Sequence, residues 1–439
     1  MKNKKFLVFG FISTAFVISA FFSSTLFANP TVEEAKKMSR LQALEKFQRV
    51  LYEVEKNNVD DITVGELVDK ALKGMLSNLD AHSNYLDKKS LKQLMVETKG
   101  EFGGLGISVG MKDGALTVIA PIEGTPADKA GLKAGDIILK IEDKSTLDMT
   151  LDEAVSLMRG EKGTPINITV FRKGKATPFK VHIIRDIIKI QSVYTKTIDK
   201  DILYIRVTSF NQKVVEDVTK AINKSKKTTK GIILDLRNNP GGLLSQAIGL
   251  VDIFVDSGNI VSQKGRHKKD DAYYDATKSA TLTKVPLVVL VNGGSASASE
   301  IVSGALQDHK RAILVGEKTF GKGSVQSIIP VTQTEAIKLT IARYYLPSGR
   351  TIQAVGITPD IGVLPGEIKT QKNEFSIKEA DLKKHLEKEL EKVDGKKVEK
   401  KAKNEDKKDI ITPQMMDKDI QLKEGVNILK ALIITKGQN

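Results

Sequence analysis

Cysteine is absent from this chain, which excludes disulfides and thiolate metal sites and is compatible with export, where stray thiols oxidise. Histidine is scarce: His82, His182, His267, His309 and His385 are all there is, and none sits in a motif that marks a catalytic base. Aromatic residues make up only 5%, and no basic stripe interleaves with them. The net charge of +15 therefore reads as a lysine-rich solvated surface rather than a nucleic-acid interface. Affinity for anionic lipid heads or acidic partners is the lesser reading. Hydrophobic content of 40% is ordinary for a globular protein, and 439 residues exceed one compact core, so two or three domains are expected.

The long apolar run lies at the start. Met1 to Lys5 is basic, and Phe6 to Ala28 is uncharged and largely apolar. This reads as a secretory signal ending near Ala28, before Asn29-Pro30. Its length, and Leu26 at the minus-three position, keep an uncleaved membrane anchor as the alternative. Either reading places the rest outside the cytoplasm, periplasmic or otherwise extracytoplasmic, and the second would anchor it to the inner membrane by residues 6–28.

Five segments are expected: the signal or anchor over 1–28, a helical region over 29–98, a small strand-rich domain over 99–186, an α/β core over 187–365, and a charged linker with a terminal helix over 366–439. Apolar residues at three- and four-residue spacing predict helices over Ala35–Val54 and Val64–Leu79. Glycine-punctuated, alternating strands follow, with one amphipathic helix near Thr150–Gly160. From Ile187 onward, apolar strands such as Val285–Val291 are each followed by a helix, which implies a sheet covered on its faces. Ile368–Asp409 is Lys/Glu-rich and reads as a solvated helix or linker. The amphipathic stretch Ile420–Leu432 would dock on the body or on a second subunit.

Val291 to Glu300, VNGGSASASE, sets three serines at alternate positions where a strand gives way to a helix. Unpaired N–H groups at such a junction suit a nucleophile with an oxyanion hole. The same residues fit a capping box, Ser297 capping and Glu300 reaching back. From this decapeptide alone the two readings stay open. Downstream, glycines flank Lys322 in TFGKGSVQ. A phosphate loop is excluded, because Gly323 stands where a magnesium-binding hydroxyl is needed and a β-branched stretch follows instead of a helix. A buried lysine with a depressed pKa can act as general base. Lys322 would take the Ser297 proton, and Gln326, four residues on in extended chain, would reach Lys322 on the same face. In LDLRNNPGG, the N–H groups of Gly241 and Gly242 would join that of Ala298 as oxyanion donors; an ordinary strand-to-helix turn is the alternative.

Taken together, GLGI (Gly104–Ile107), GTPADKAGLKAGD, LDLRNNPGG, SASASEI, TFGKGSVQ and GITPDI (Gly356–Ile361) resemble the carboxyl-terminal processing, or tail-specific, proteases from about Phe47 to Val363, with the short C-terminal helix besides. The resemblance implies a multidomain α/β protein with an N-terminal helical segment, an inserted β-barrel-like PDZ domain, a crotonase-like serine protease core and a helical tail. It implies Ser297 as nucleophile, Lys322 as base 25 residues later, Gln326 in support, and a supporting carboxylate at Asp308. It also implies that the backbone N–H groups of Leu105, Gly106 and Ile107 receive a substrate's terminal carboxylate, the substrate adding as a strand beside Gly106–Val109. Arg159 would sense that carboxylate; a solvated surface arginine is the plain alternative. No metal or cofactor is called for. Expected partners are proteins or peptides with free C-termini ending in small or apolar residues, a second copy or higher homo-oligomer through the terminal helices, and an adaptor lipoprotein. Two rivals stand beside this: a PDZ adaptor whose core only binds, and an enzyme whose base is His309.

Overall fold

The computed structural model describes residues 38–368 and 409–436. The signal or anchor expected at 1–28, and most of the Lys/Glu-rich stretch, lie outside the described residues. The chain divides into two compact units, one ending at Gly74 and one beginning at Met75, so the helical region expected over 29–98 is shared between them.

The first unit holds α1 (Arg40–Asn57) and most of α2 (Val64–Ser77). A capping box opens α1: Ser39 Oγ accepts from the Gln42 N–H, and the Gln42 side chain accepts from the Ser39 N–H. Leu41, Leu44, Phe47 and Val50 recur at helical spacing along α1, and all are exposed.

The second unit opens with a turn at Asp80–Ser83, then β1 (Asn84–Leu86) and α3 (Lys88–Lys99), whose first turn is capped by Asp87. β2 (Glu101–Gly104) leads into a PDZ-like layer. Its elements are β3 (Ile107–Lys112), β4 (Ala115–Pro121), α4 (Pro126–Lys129), β5 (Ile137–Ile141), β6 (Lys144–Ser145), α5 (Leu151–Met158), β7 (Pro165–Phe171) and β8 (Phe179–Ile184). The sheet order is β3-β4-β5-β7-β8, with β6 on β5. Alternation gives the sheet one buried face: Ile166, Ile168, Val170, Val181 and Ile183 point inward against Ala154 and Met158 of α5. β9 (Asp186–Lys189) then pairs antiparallel with β2, so the chain leaves this layer beside where it entered.

The core begins with β10 (Val193–Ile198), β11 (Ile202–Val207), α6 (Val214–Ser225), β12 (Gly231–Asp235) and α7 (Leu244–Asp252). After β13 (Asn259–Gly265) and β14 (Ala272–Asp275) come β15 (Leu287–Val291), α8 (Ala298–Asp308), β16 (Ile313–Gly316), β17 (Ser324–Pro330), β18 (Ala336–Tyr345) and β19 (Ile361–Gly362). The main sheet runs β10-β11-β12-β15-β16-β19, parallel except for β10 against β11. Both faces are covered, which is why β12 and β15 are buried at every residue. One face, with Leu203, Ile205, Leu234, Val289 and Leu314, packs under α6, α7 and α8. The other, with Ile202, Tyr204, Ile233, Val288, Leu290 and Val315, packs under the C-terminal pair α9 (Pro413–Asp417) and α10 (Ile420–Lys436). The terminal stretch expected as a docking helix therefore docks on the body, through Leu422, Val426 and Leu429.

A partly buried ion pair, backed by the buried Asp235, fixes that docking. Arg237 bonds Asp419 at 2.8 Å through each terminal nitrogen and reaches Asp235 at 2.7 Å, while the Tyr204 hydroxyl donates to Asp235 at 2.8 Å. Burial alone would raise the Asp419 pKa; the Arg237 hydrogen bonds outweigh it and hold the carboxyl below its ordinary value. A second sheet places β1, β17 and β13 on β18, with β14 outermost on β13. It carries the Lys322 loop.

Candidate active site

Three loops meet at the carboxyl ends of the adjacent parallel strands β12, β15 and β16, the position where open α/β sheets form their clefts. They are 236–243, 292–297 and 317–323. Asparagines tie the first two together. The Asn238 N–H donates to Asn292 Oδ1 at 2.8 Å, and Asn292 Nδ2 returns a bond to Asn238 Oδ1 at 2.9 Å. Asn239, fully buried, donates to the Val207 carbonyl and accepts from the Gly241 N–H, and its carbonyl accepts from the Ala296 N–H.

The three serines separate by environment. Ser295 is fully buried, and its hydroxyl donates to the Leu236 carbonyl at 2.8 Å. Ser299 is fully buried, and its hydroxyl donates to the Asn239 carbonyl at 2.9 Å. Ser297 between them is half-buried, with φ 53° and ψ −111°, a conformation non-glycine residues seldom hold. Ser297 and Glu300 are set as the two halves of a capping box, but only the glutamate's half closes as a hydrogen bond: the Ser297 N–H donates to Glu300 Oε2 at 2.8 Å, and the Ser297 hydroxyl makes no cap bond. Of the three hydroxyls, only that of Ser297 is left uncommitted.

Glu300 does more than cap. It is fully buried, and four donors converge on its carboxylate: the N–H groups of Ser297 and Lys322 on Oε2, and the Gly321 N–H and Thr319 hydroxyl on Oε1. Thr319 Oγ1 in turn accepts from the Ile357 N–H at 2.7 Å. One carboxylate thus fastens the serine turn to the lysine loop. The capping pattern signalled Glu300 in the sequence; its reach to residues 319–322 carried no local signal.

Lys322 is half-buried. Burial depresses its pKa and the nearby Lys338 adds to the effect, while Asp80 and Glu300 oppose it. No hydrogen bond joins Lys322 Nζ to Ser297 Oγ in this structure; the two residues are linked through Glu300. Gln326 departs from expectation. Its Nε2 donates to Ser324 Oγ at 2.7 Å and contacts Thr340 Oγ1 at 3.5 Å, with no bond to Lys322. The strand starts only at Ser324, so the period-two rule that would align residues 322 and 326 does not run through Gly323.

Of the oxyanion candidates, Gly241 lies against the serine: a Cβ there would stand 2.9 Å from Ser297 Cβ and 3.0 Å from Ala298 N. With φ +102° as well, the position demands glycine. Its N–H is taken by Asn239 Oδ1 at 2.9 Å. The N–H groups of Ala298 and Gly242 have no hydrogen-bond partner among the described residues.

Asp308 lies at the far end of α8 from Ser297, roughly 15 Å away at 1.5 Å rise per residue. It pairs with Arg350 at 2.8 Å and accepts from the Ser348 N–H at 3.0 Å. The carboxylate expected to support the site thus supports the 348–350 loop instead. His309 caps the same distant end and contacts the Asn259 carbonyl at 2.7 Å, which removes it as the proton acceptor for Ser297.

In the PDZ-like layer, β3 is the edge strand. The N–H groups of Leu105 and Gly106 have no partner among the described residues, and the Ile122 N–H closing on the Gly106 carbonyl at 2.9 Å turns the Ile107 N–H to the open edge. Gly106 has φ +78°, and a Cβ there would fall 2.3 Å from Thr125 Cβ. Arg159 is partly buried rather than free in solvent. It donates to Gln93 Oε1 of α3 at 3.1 Å and lies over the Phe102 ring at 4.8 Å, joining the end of α5 to the helix before β2.

Comparison with known proteins places these features together. Peptidase family S41 matches residues 201–363, and a PDZ domain matches residues 117–172. The carboxy-terminal-processing protease of Bartonella bacilliformis is 44% identical over 380 residues, covering 84% of this chain and 87% of that protein. The carboxy-terminal processing protease CtpA of Bacillus subtilis is 37% identical, covering 82% and 78%. The carboxyl-terminal-processing protease of Picosynechococcus is 38% identical, covering 68% and 73%.

Proposed function

This chain belongs to the carboxy-terminal processing proteases, S41 serine peptidases with a PDZ domain, and on that premise we propose that it cleaves with Ser297 as nucleophile and Lys322 as general base. The observation that carries the assignment is that the Ser297 hydroxyl alone is uncommitted among the three serines, while Glu300 fastens its turn to the loop bearing a lysine of lowered pKa. After a side-chain rotation that closes the dyad, neutral Lys322 takes the Ser297 proton as Oγ attacks the scissile carbonyl. The tetrahedral oxyanion lies between the N–H groups of Ala298 and Gly242, with Gly241 shaping the turn. The Lys322 ammonium then gives its proton to the leaving amine. Water, deprotonated by the regenerated amine, releases the acyl group from Ser297.

Substrates enter by their C-termini. The open N–H groups at Leu105, Gly106 and Ile107 take the terminal carboxylate, and the last residues add to the edge of β3. The core follows the crotonase-like pattern. The basic and then apolar run over 1–28 exports the enzyme to the periplasm or leaves it anchored there, where envelope proteins are its substrates. The exposed stripe of α1 supports self-association, and an adaptor lipoprotein would present substrates. Mass spectrometry of periplasmic C-termini, comparing cells with the wild-type chain and with Ser297→Ala, tests this reading. Longer C-termini accumulating in the variant are expected; unchanged C-termini would favour a binding protein whose core does not cut.

A further inference from the structure

We propose that the Asp80–Ser83 turn is a working part of the catalytic centre, with Asp80 positioning the strand that carries Gln326 beside the Lys322 loop and lending its negative charge to that lysine's surroundings. The proposal rests on Lys322 being the base. The turn lies 242 residues upstream of Lys322 in the chain, yet it is built onto the same sheet. Asp80 Oδ1 accepts from the N–H groups of His82 and Ser83 at 2.7 and 2.8 Å, and Oδ2 accepts from Ser83 Oγ at 2.7 Å. Those three bonds are what any tight turn closed by an aspartate would show.

Two further observations do not follow from a turn. Thr340 in β18 is stapled to it twice: Thr340 Oγ1 donates to Asp80 Oδ1 at 3.3 Å, and the Thr340 N–H donates to Ser83 Oγ at 3.2 Å. Thr340 is also the cross-strand partner of Gln326, whose side chain contacts its hydroxyl at 3.5 Å. A line of polar contacts therefore runs Asp80–Thr340–Gln326–Ser324, ending two residues from Lys322. The second observation is charge. Asp80 and Glu300 attract the Lys322 ammonium and Lys338 repels it, while the His82 ring, its pKa lowered first by burial, is lowered further by Lys322. Burial would raise the Asp80 pKa, but its donors outweigh that and keep it an anion.

The arrangement answers a need of the two-step reaction. Burial and Lys338 favour the neutral amine that accepts the Ser297 proton. Asp80 makes no ion pair with Lys322; through its charge it favours the ammonium that forms, which goes on to protonate the leaving amine.

The test is the pH dependence of kcat for the full chain on a C-terminally tagged protein. Activity rises with pH as Lys322 loses its proton, so removing a neighbouring anion in Asp80→Asn moves that acid limb to lower pH, by roughly half to one unit. The plateau falls about three- to tenfold with KM unchanged. Ser83→Ala keeps the charge and leaves the limb where it is. Where Asp80→Asn does not fold, His82 is titrated by NMR in the wild type and in Lys322→Met. Its pKa rises in the variant if the lysine faces the turn. A folded Asp80→Asn with an unmoved limb, or an unmoved His82, overturns the proposal while an inactive Lys322→Ala leaves the dyad standing. Wild-type turnover in Lys322→Ala would sink the dyad itself, and the proposal with it.

Discussion

Replacing Glu300 with glutamine removes one acceptor oxygen from a site where each oxygen takes two donors. Whichever way the amide lies, its NH2 faces two groups that also donate. The less costly orientation turns the nitrogen toward Thr319 and Gly321. The Thr319 hydroxyl can reverse, because its oxygen accepts from Ile357 N–H and retains a second lone pair. The Gly321 N–H cannot reverse, and it loses its partner in a fully buried position. Bonds from Ser297 and Lys322 survive, but to a neutral oxygen. With charged hydrogen bonds contributing about 1.5–3 kcal/mol and neutral ones about 0.5–1.5, the total loss is about 3–4 kcal/mol. If half of this is felt in the transition state, kcat falls roughly 10- to 30-fold. On the proposed function, in which the PDZ domain holds the substrate's C-terminus, KM should stay within about twofold, because Glu300 touches none of the carboxylate-binding residues. Steady-state cleavage of a tagged substrate beside a thermal melt reads both quantities. A folded Glu300→Gln enzyme with wild-type kcat would refute the idea that this carboxylate holds the serine and lysine loops in working register.

Ser295→Ala and Ser299→Ala each delete a fully buried, bonded hydroxyl, so each should lower stability by about 1–2 kcal/mol in urea unfolding and leave most of the activity. Arg237→Met strands Asp235 and Asp419 and should lower stability by about 3–5 kcal/mol, loosening α10 from the sheet. Because the Asp419 pKa is depressed in the fold, its share of that loss is fully present above the ordinary value of 3.8 and vanishes as pH falls through the lower folded value. Urea unfolding at several acid pH values should show the wild-type advantage shrinking. Gly106→Ala forces a methyl group into Thr125 at positive φ, and should weaken binding of a C-terminal peptide at least tenfold by fluorescence anisotropy.

Local chemistry was legible where it depended on neighbours in sequence. The apolar strands, the glycine turns after them and the Glu300 half of the capping box of α8 show in the residues, and so does the pairing of a serine turn with a glycine-flanked lysine. What depends on chain separation did not show. Glu300 reads as a helix cap because its first bond is three residues away; its bonds to Thr319, Gly321 and Lys322 follow only from β15 and β16 lying side by side. Asp80 carries no signal at all until β18 brings Thr340 to it. His309 looked close to Ser297 by number and Asp308 was implied by the resemblance, but the rise of one helix carries both to its far end. Gln326 failed for a smaller reason, the break in strand geometry at Gly323. The accessible serine among three was likewise decided by burial and by two carbonyls, those of Leu236 and Asn239, which lie some 60 residues earlier in the chain.

The central claim is that Ser297 attacks and Lys322 takes its proton. Labelling the intact protein with a fluorophosphonate across a range of pH, with the modified peptide identified by mass spectrometry, tests both halves at once. The label should fall on Ser297, its rate should rise with pH as Lys322 deprotonates, and Lys322→Ala should abolish it while His309→Ala leaves it intact. Labelling at Ser295 or Ser299, or a rate on Ser297 that survives loss of Lys322, would contradict the account.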